Sequence, residues 1–171
     1  MFLSGYTKRK KLTIDNTKID ASLTNFPVRV SLSDDADIGA VARSDGYDIR
    51  FTSSDGETLL KYERESFAIV SDKATGEFHV KIPSVSSSAD TEFYIYYGKS
   101  DASDVADPEN VWDSNFKAVH HLKDNTTSTV LDSTSNNVDG TKKGANEPNQ
   151  VDGKIAKAQD FDGSNDRISL G

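Results

Sequence analysis

The sequence contains no cysteine, which removes disulfides, thiolate catalysis and zinc–thiolate centres together and leaves the cellular compartment open. No stretch approaches the run of about 20 apolar residues that a membrane helix requires. Phe2 and Leu3 are followed at once by Gly5 and a basic run, so no signal-peptide apolar region is present. A basic excess is also missing. The formal net charge is −8, whereas phosphate backbones call for clustered Lys and Arg, so a nucleic-acid partner is not expected. The single basic run, Lys8-Arg9-Lys10-Lys11, leads into Leu12 and Ile14 and reads as the solvated flank of a first strand. Amphipathic helices are scarce. One turn is expected within Asp35 to Val41 and another around Asp107-Pro108.

What the chain does have is alternation. Apolar residues make up 35% of its 171 positions, enough for one buried face per strand of a half-buried antiparallel protein. Phe26, Val28, Val30 and Leu32 share one face of a strand whose Pro27 points to a sheet edge. Phe78, Val80 and Ile82 repeat the pattern, as do Phe93, Ile95 and Tyr97, with Tyr94 and Tyr96 opposite. Turn signals fall at Ser44-Asp45-Gly46, Ser54-Asp55-Gly56 and Ala74-Thr75-Gly76, the last expected to join Phe67–Val70 to Glu77–Val80 as a hairpin. Short strands at this spacing predict an antiparallel β-sandwich, jelly-roll-like, rather than βαβ units.

Near Tyr97-Gly98 the texture changes. The reading is an N-terminal sandwich over residues 1–98, a polar linker over 99–111, and a second β region over 112–171. In that second region Phe116 to Leu122 reads as a strand, Val130-Leu131 as a short one, and Asn136 to Gln150 as a long polar loop. Its apolar residues are too few to close a core alone.

Asp48-Ile49-Arg50-Phe51, Ser54-Asp55-Gly56, Leu60, Tyr62-Glu63 and Ile95-Tyr96-Tyr97-Gly98, with Lys10–Asp15 and Phe26-Pro27-Val28 before them, resemble the domain of unknown function 2341 family over roughly residues 6 to 98. That family occurs in large surface and virion proteins of microbes and phages. Farther on come Trp112, Ala118–Leu122, Leu131-Asp132-Ser133, Asn136-Asn137, Asp139-Gly140-Thr141, Gly153-Lys154-Ile155, Ala158 and Phe161-Asp162-Gly163 with Asp166. This set resembles the first strands of a laminin-G or concanavalin A-like lectin sandwich. It departs from that pattern at Ala156, where a glycine is common, and at Arg167, where an aromatic is common. Such a sandwich occupies on the order of 150 residues. The expectation is therefore that the chain continues past Gly171, or that its last strand completes another module, because a bare strand edge invites aggregation.

Candidate site residues are few. Tyr94 and Tyr96 share a face and offer either a stacking platform for sugar rings or a contact surface between the two modules. Asp160, Asp162 and Asp166, with Asn165 beside them and Asp132 at a distance, form an acidic turn-rich group; the lectin resemblance implies calcium there, although Asp-Gly turns have their own backbone reasons. Glu63 and Glu65 share a strand face roughly 7 Å apart, a spacing a glycosidase pair permits but strands commonly show. His120 and His121, as strand neighbours, point to opposite faces and do not share a metal. His79 is expected at the surface.

The resemblances imply a non-enzymatic structural and adhesion module. It would be a phage tail-fibre, spike or head-attached protein in the virion, with other virion proteins as partners, a lectin-like face for host-surface glycan, oligomeric assembly, and no membrane insertion. A start at Met1 without an export signal fits release by particle assembly and lysis. The alternatives are a secreted bacterial surface protein and a glycan hydrolase of the concanavalin A-like type.

Overall fold

In the computed structural model, which describes residues 2–125, 128–143 and 147–170, alternation becomes pairing where the sequence shows it most clearly. Phe26, Val28 and Val30 of strand β2 (Leu23–Asp35) face Ile82, Val80 and Phe78 of β5 (Lys73–Val85) across an antiparallel ladder. The third strand of this sheet is β4 (Tyr62–Val70), giving the order β2-β5-β4. A second antiparallel sheet runs β1-β6-β3, from β1 (Lys8–Ile14), β6 (Thr91–Tyr97) and β3 (Arg50–Ser53). Both sheets belong to a compact unit spanning Met1–Val111.

Side chains from the two sheets meet in one core of fourteen buried residues. Phe51 of β3 lies at its centre, with ring centroids 5.3 Å from Tyr62 and 5.5 Å from Phe78 of the facing sheet. Burying each large side chain of this kind is worth about 1.5–3 kcal/mol, so the unit is held by apolar burial between two sheets, an antiparallel β-sandwich. The α-helical turn α1 (Ala36–Gly39) begins where the Asp35 carboxylate accepts the Ile38 amide at 2.9 Å. A 3₁₀ turn at Pro108–Asn110 follows Asp107. Among the described residues no helix is long and apolar enough to cross a membrane.

Edges explain two features of the sequence. Both β1 and β2 are edge strands. The basic run of β1 sits on one rim, where Lys10 bonds Asp35 at 2.7 Å and Lys11 bonds Glu92 at 2.7 Å. Pro27 withholds a donor from the other rim. Charges and proline at these positions discourage pairing with a foreign strand.

The β4–β5 hairpin forms, but not at the expected turn. Ala74-Thr75-Gly76 lies inside β5, and the chain reverses at Ser71-Asp72, both with positive φ (51° and 58°). Gly76 is required for a different reason: it pairs with Phe67, and a Cβ there would stand 2.9 Å from the Ser66 carbonyl and 3.1 Å from the Phe67 ring.

The second unit, Trp112–Gly171, carries a three-stranded antiparallel sheet in the order β11-β8-β7 and a two-stranded β10-β9 ladder. The strands are β7 (Thr129–Val130), β8 (Gly140–Lys143), β9 (Asn149–Asp152), β10 (Lys157–Asp160) and β11 (Arg167–Leu170). The polar stretch 136–150 is therefore not all loop; its residues 144–146 lie outside the described ones. Phe116–Leu122 is not a strand. Apart from Pro148, Val130 is the only fully buried apolar side chain among the described residues of this unit, while Leu131, Ile155 and Leu170 are more than half exposed.

Candidate functional site

Arg50 stands in β3 beside Phe51, on the outer face of the sheet opposite the one that Phe51 presents to the core. It is 7% exposed, and its guanidinium is spent on backbone oxygens: Nη1 donates to Tyr47 O (2.8 Å) and Ile49 O (2.6 Å), and Nη2 to Ser103 O (2.6 Å). The Tyr62 hydroxyl donates to the same Ile49 carbonyl at 2.7 Å. Burial pushes the Tyr62 phenol up to about 12, although the Arg50 and Arg64 charges pull the other way. Asp48, fully buried, accepts the Arg43 amide at 3.1 Å through one oxygen and the Gly98 amide at 2.7 Å through the other. Gly98 has φ 82°, and a Cβ there would fall 2.2 Å from Thr7 Oγ1. The sandwich leaves its last strand through a turn only glycine fits.

These residues hold residues 98–110, most of the stretch 99–111 that the sequence read as a linker, against the sandwich within the first unit. Arg43 Nη1 donates to Ser100 O at 2.7 Å. Arg64 forms a two-point pair with Asp104 at 3.0 and 2.6 Å. The amide of Asp107 donates to Tyr62 O at 2.8 Å, and Lys61 reaches the Asp107 carboxylate at 2.6 Å. Lys81 donates to Asn110 O at 3.1 Å. The Arg64 guanidinium holds Asp104 below the usual carboxylate range, and Lys61 does the same for Asp107, with burial opposing both. The stretch is a strap, and its polar composition reflects ion pairing rather than freedom.

Tyr96 is not a stacking platform. It is fully buried because Arg50 and Tyr96 share the outer face of their sheet, and that face is covered. Phe2 and Tyr6 lie edge-on to its ring at 5.2 and 5.8 Å. Its hydroxyl donates to Gly56 O at 2.9 Å and accepts from Arg9 at 2.7 Å. Tyr94 is half-buried, with the Arg9 guanidinium 4.2 Å from its ring centroid.

Glu63 and Glu65 are both buried. A bulge between Arg64 and Ser66 turns Glu65 toward His79, whose Nε2 lies 2.9 Å from its carboxylate. His79, expected at the surface, is thus largely covered. His120 and His121 are half-buried and lie on irregular backbone; His120 Nε2 bonds Val138 O at 2.9 Å, and the His121 ring sits 6.1 Å from Trp112.

In the second unit the organising group is Asp132. Its carboxylate accepts the amides of Val119 (2.8 Å), Thr134 (3.0 Å) and Val138 (2.9 Å), and the Thr134 hydroxyl at 2.7 Å. Burial opposes ionisation, but these four donors outweigh it and hold the carboxyl down at about 2. Lys142, 2% exposed, donates to Asp124 O and Pro148 O; Gln159 donates to Leu122 O, and Gln150 to Lys123 O. Polar side chains therefore tie the unit together where apolar ones are few.

Asp160, Asp162 and Asp166 are not brought together. Among the described residues their ligand atoms do not converge within 4.8 Å. Asp162 accepts the Ser164 amide and Asp166 the Asp162 amide, the local bonds of a turn. Ala156, the position where a glycine is common in the lectin pattern, adopts φ 49°. A cavity of about 370 Å³ opens on the β7-β8-β11 sheet, lined by His120, Leu122, Val130, Ile168 and Leu170.

The role of Arg50, Arg64 and Asp132 was not evident from sequence. A charge flanked by Ile49 and Phe51 was the signal for Arg50. For Asp132 the Asp-x-Thr spacing to Thr134 was one.

No curated protein and no solved structure matches the chain. A family model, Domain of unknown function (DUF2341), matches residues 45–140. The match is displaced from the stretch 6–98 that the resemblance suggested. It takes in the strap with Asp48, Arg50, Tyr62 and Arg64, and runs on through Asp132 to β8. Covering more than half of its length, this match makes the chain a member of the DUF2341 family of domains of unknown function.

Proposed function

We propose that this is a non-enzymatic structural and adhesion module: a scaffold unit that carries a lectin-like second unit for glycan or host-surface binding, in a phage virion or on a microbial surface. The observation that carries the reading is how the first unit uses its chemistry. Asp48, Arg50, Arg64 and Asp104 are committed to holding backbone or each other, and Glu65 and His79 bond one another. Such a unit supports rather than reacts. The cavity at His120, Leu122, Val130, Ile168 and Leu170 is a concave surface on the second unit, and its volume of about 370 Å³ lies in the range of ligand pockets. The net charge of −8 disfavours nucleic acid as the ligand. The virion setting and the lectin-like character rest on the resemblances drawn from sequence.

The test is binding of the full chain to a panel of immobilised surface polysaccharides and whole cells, with Ile168→Glu placed in the cavity wall. Saturable binding that Ile168→Glu abolishes, with the polysaccharide left uncut, is the expected result. Binding unaltered by Ile168→Glu would remove the cavity from the account. Polysaccharide cleavage that vanishes in Glu63→Gln or Glu65→Gln would make the protein a hydrolase instead.

A further inference from the structure

The strap has a direction, and that direction matters under load. Strand β1 enters the sandwich at Lys8 and β6 leaves it at Tyr97, and these two residues are cross-strand partners. Tension between the N-terminus and the second unit therefore pulls the β1–β6 ladder apart at one end. Antiparallel ladder bonds run across the strands, so such a pull loads them one after another, the weakest way to load a sheet.

We infer that residues 98–110 form a mechanical clamp that shields this ladder from tension arriving through the second unit. Force entering at Trp112 meets Lys81–Asn110 first, then Lys61–Asp107 with the Asp107 amide on Tyr62 O, then Arg64–Asp104. Arg50–Ser103 and Arg43–Ser100 follow, and Asp48–Gly98 comes last before β6. The anchors sit on or beside β3, β4 and β5, so the clamp spreads load over both sheets of the sandwich. Several are charge-assisted and one is a two-point pair, the stronger kinds of hydrogen bond. On the other side of the same exit, Thr7 Oγ1 donates to Gly98 O at 3.0 Å, closing the gap between the two loaded ends. The clamp is a property of the first unit and stands whatever the second unit binds.

Single-molecule pulling of the full chain tests this. The chain has no cysteine, so a thiol introduced by Ser71→Cys at the exposed hairpin turn is a unique second handle. Two geometries are compared, N-terminus to C-terminus, which loads the strap, and N-terminus to residue 71, which does not. Unfolding of the first unit is identified by the length released, about 3.5 Å per residue. With Lys61→Ala and Arg64→Ala combined, lifetime under constant force should shorten roughly tenfold in the first geometry, the effect of removing charge-assisted bonds from the barrier. It should stay unchanged in the second. Asp104→Asn is a milder variant that keeps the side-chain shape and should shift the same way. Equal shortening in both geometries would mean that the pairs only stabilise the fold, and an unchanged lifetime in the first geometry would mean that the strap bears no load; either result overturns the clamp.

Discussion

Asp132 accepts the amide of Val119 at 2.8 Å, and Val119 returns its carbonyl to the amide of Ser133 at 2.9 Å. One carboxylate and one backbone group thereby fasten two segments into a local structure that needs no strand. The Phe116–Leu122 stretch, which the sequence read as a strand, is tied to 132–133 by this exchange.

Replacing Asp132 by alanine removes four acceptor contacts to a charged group. Hydrogen bonds to charged groups contribute about 1.5–3 kcal/mol, and the loss is expected in the second unit alone. Amide protection of Val119, Thr134 and Val138, measured by exchange, should collapse while β5 and β6 amides keep theirs. The same amides report on pH. The folded carboxyl titrates at about 2, below its ordinary 3.8, so its contribution is full above 3.8 and lost as pH falls through about 2. Protection independent of pH across that window would show that the carboxylate is not the organiser.

Tyr62 gives the opposite sign at the other end of the scale. Its phenol is raised from 10.0 to about 12, so its contribution is complete below 10 and disappears as pH rises through about 12. Absorbance titration should show Tyr6, Tyr62 and Tyr97 of the six tyrosines ionising above the ordinary range, and Tyr62→Phe should remove the phase near 12. A phase near 12 that survives Tyr62→Phe would assign it elsewhere.

Gly98→Ala places a methyl group against Thr7 Oγ1 and Val41 at a φ that costs about 1–2 kcal/mol by itself. Denaturant unfolding of the first unit should shift to lower midpoint by about 2 kcal/mol or more once the clash is included. A change within error would mean that the turn relaxes freely.

Ala156→Gly should do the reverse in the second unit. Ala156 holds φ 49° in the tight β9–β10 connection, where the Gly153 amide donates to its carbonyl at 3.0 Å. Relief of the left-handed strain is worth about 1 kcal/mol, less the extra freedom glycine gives the unfolded chain. The thermal midpoint of that unit should rise; a fall would show that the side chain packs.

The sandwich strands β2, β5 and β6 were legible because apolar residues repeat at period two over five or more positions. Of the three helical turns, those at Ala36–Gly39 and Pro108–Asn110 were legible because Asp35 and Asp107-Pro108 mark them, whereas the 3₁₀ turn at Asn16–Lys18 was not read. The β4–β5 reversal was not. Ser71 and Asp72 both take left-handed φ without the glycine that ordinarily announces it, while Gly76 announced a turn and serves instead to make room for Phe67. The strap was illegible for another reason. Its composition matches a linker, and its partners lie 40 residues away at Arg64, 53 at Arg50 and 57 at Arg43. Long-range ion pairs and arginine–carbonyl bonds leave no local trace. The same holds for Tyr96, whose covering by Phe2 and Tyr6 joins opposite ends of the first unit.

Val130, nearly alone as a buried apolar side chain among the described residues beyond Trp112, has a calorimetric consequence. Heat capacity rises on unfolding in proportion to the hydrocarbon newly wetted. Almost the entire baseline step in a melting scan should therefore come from the sandwich, and the distal segment should melt with a flat stability curve, little changed by cooling.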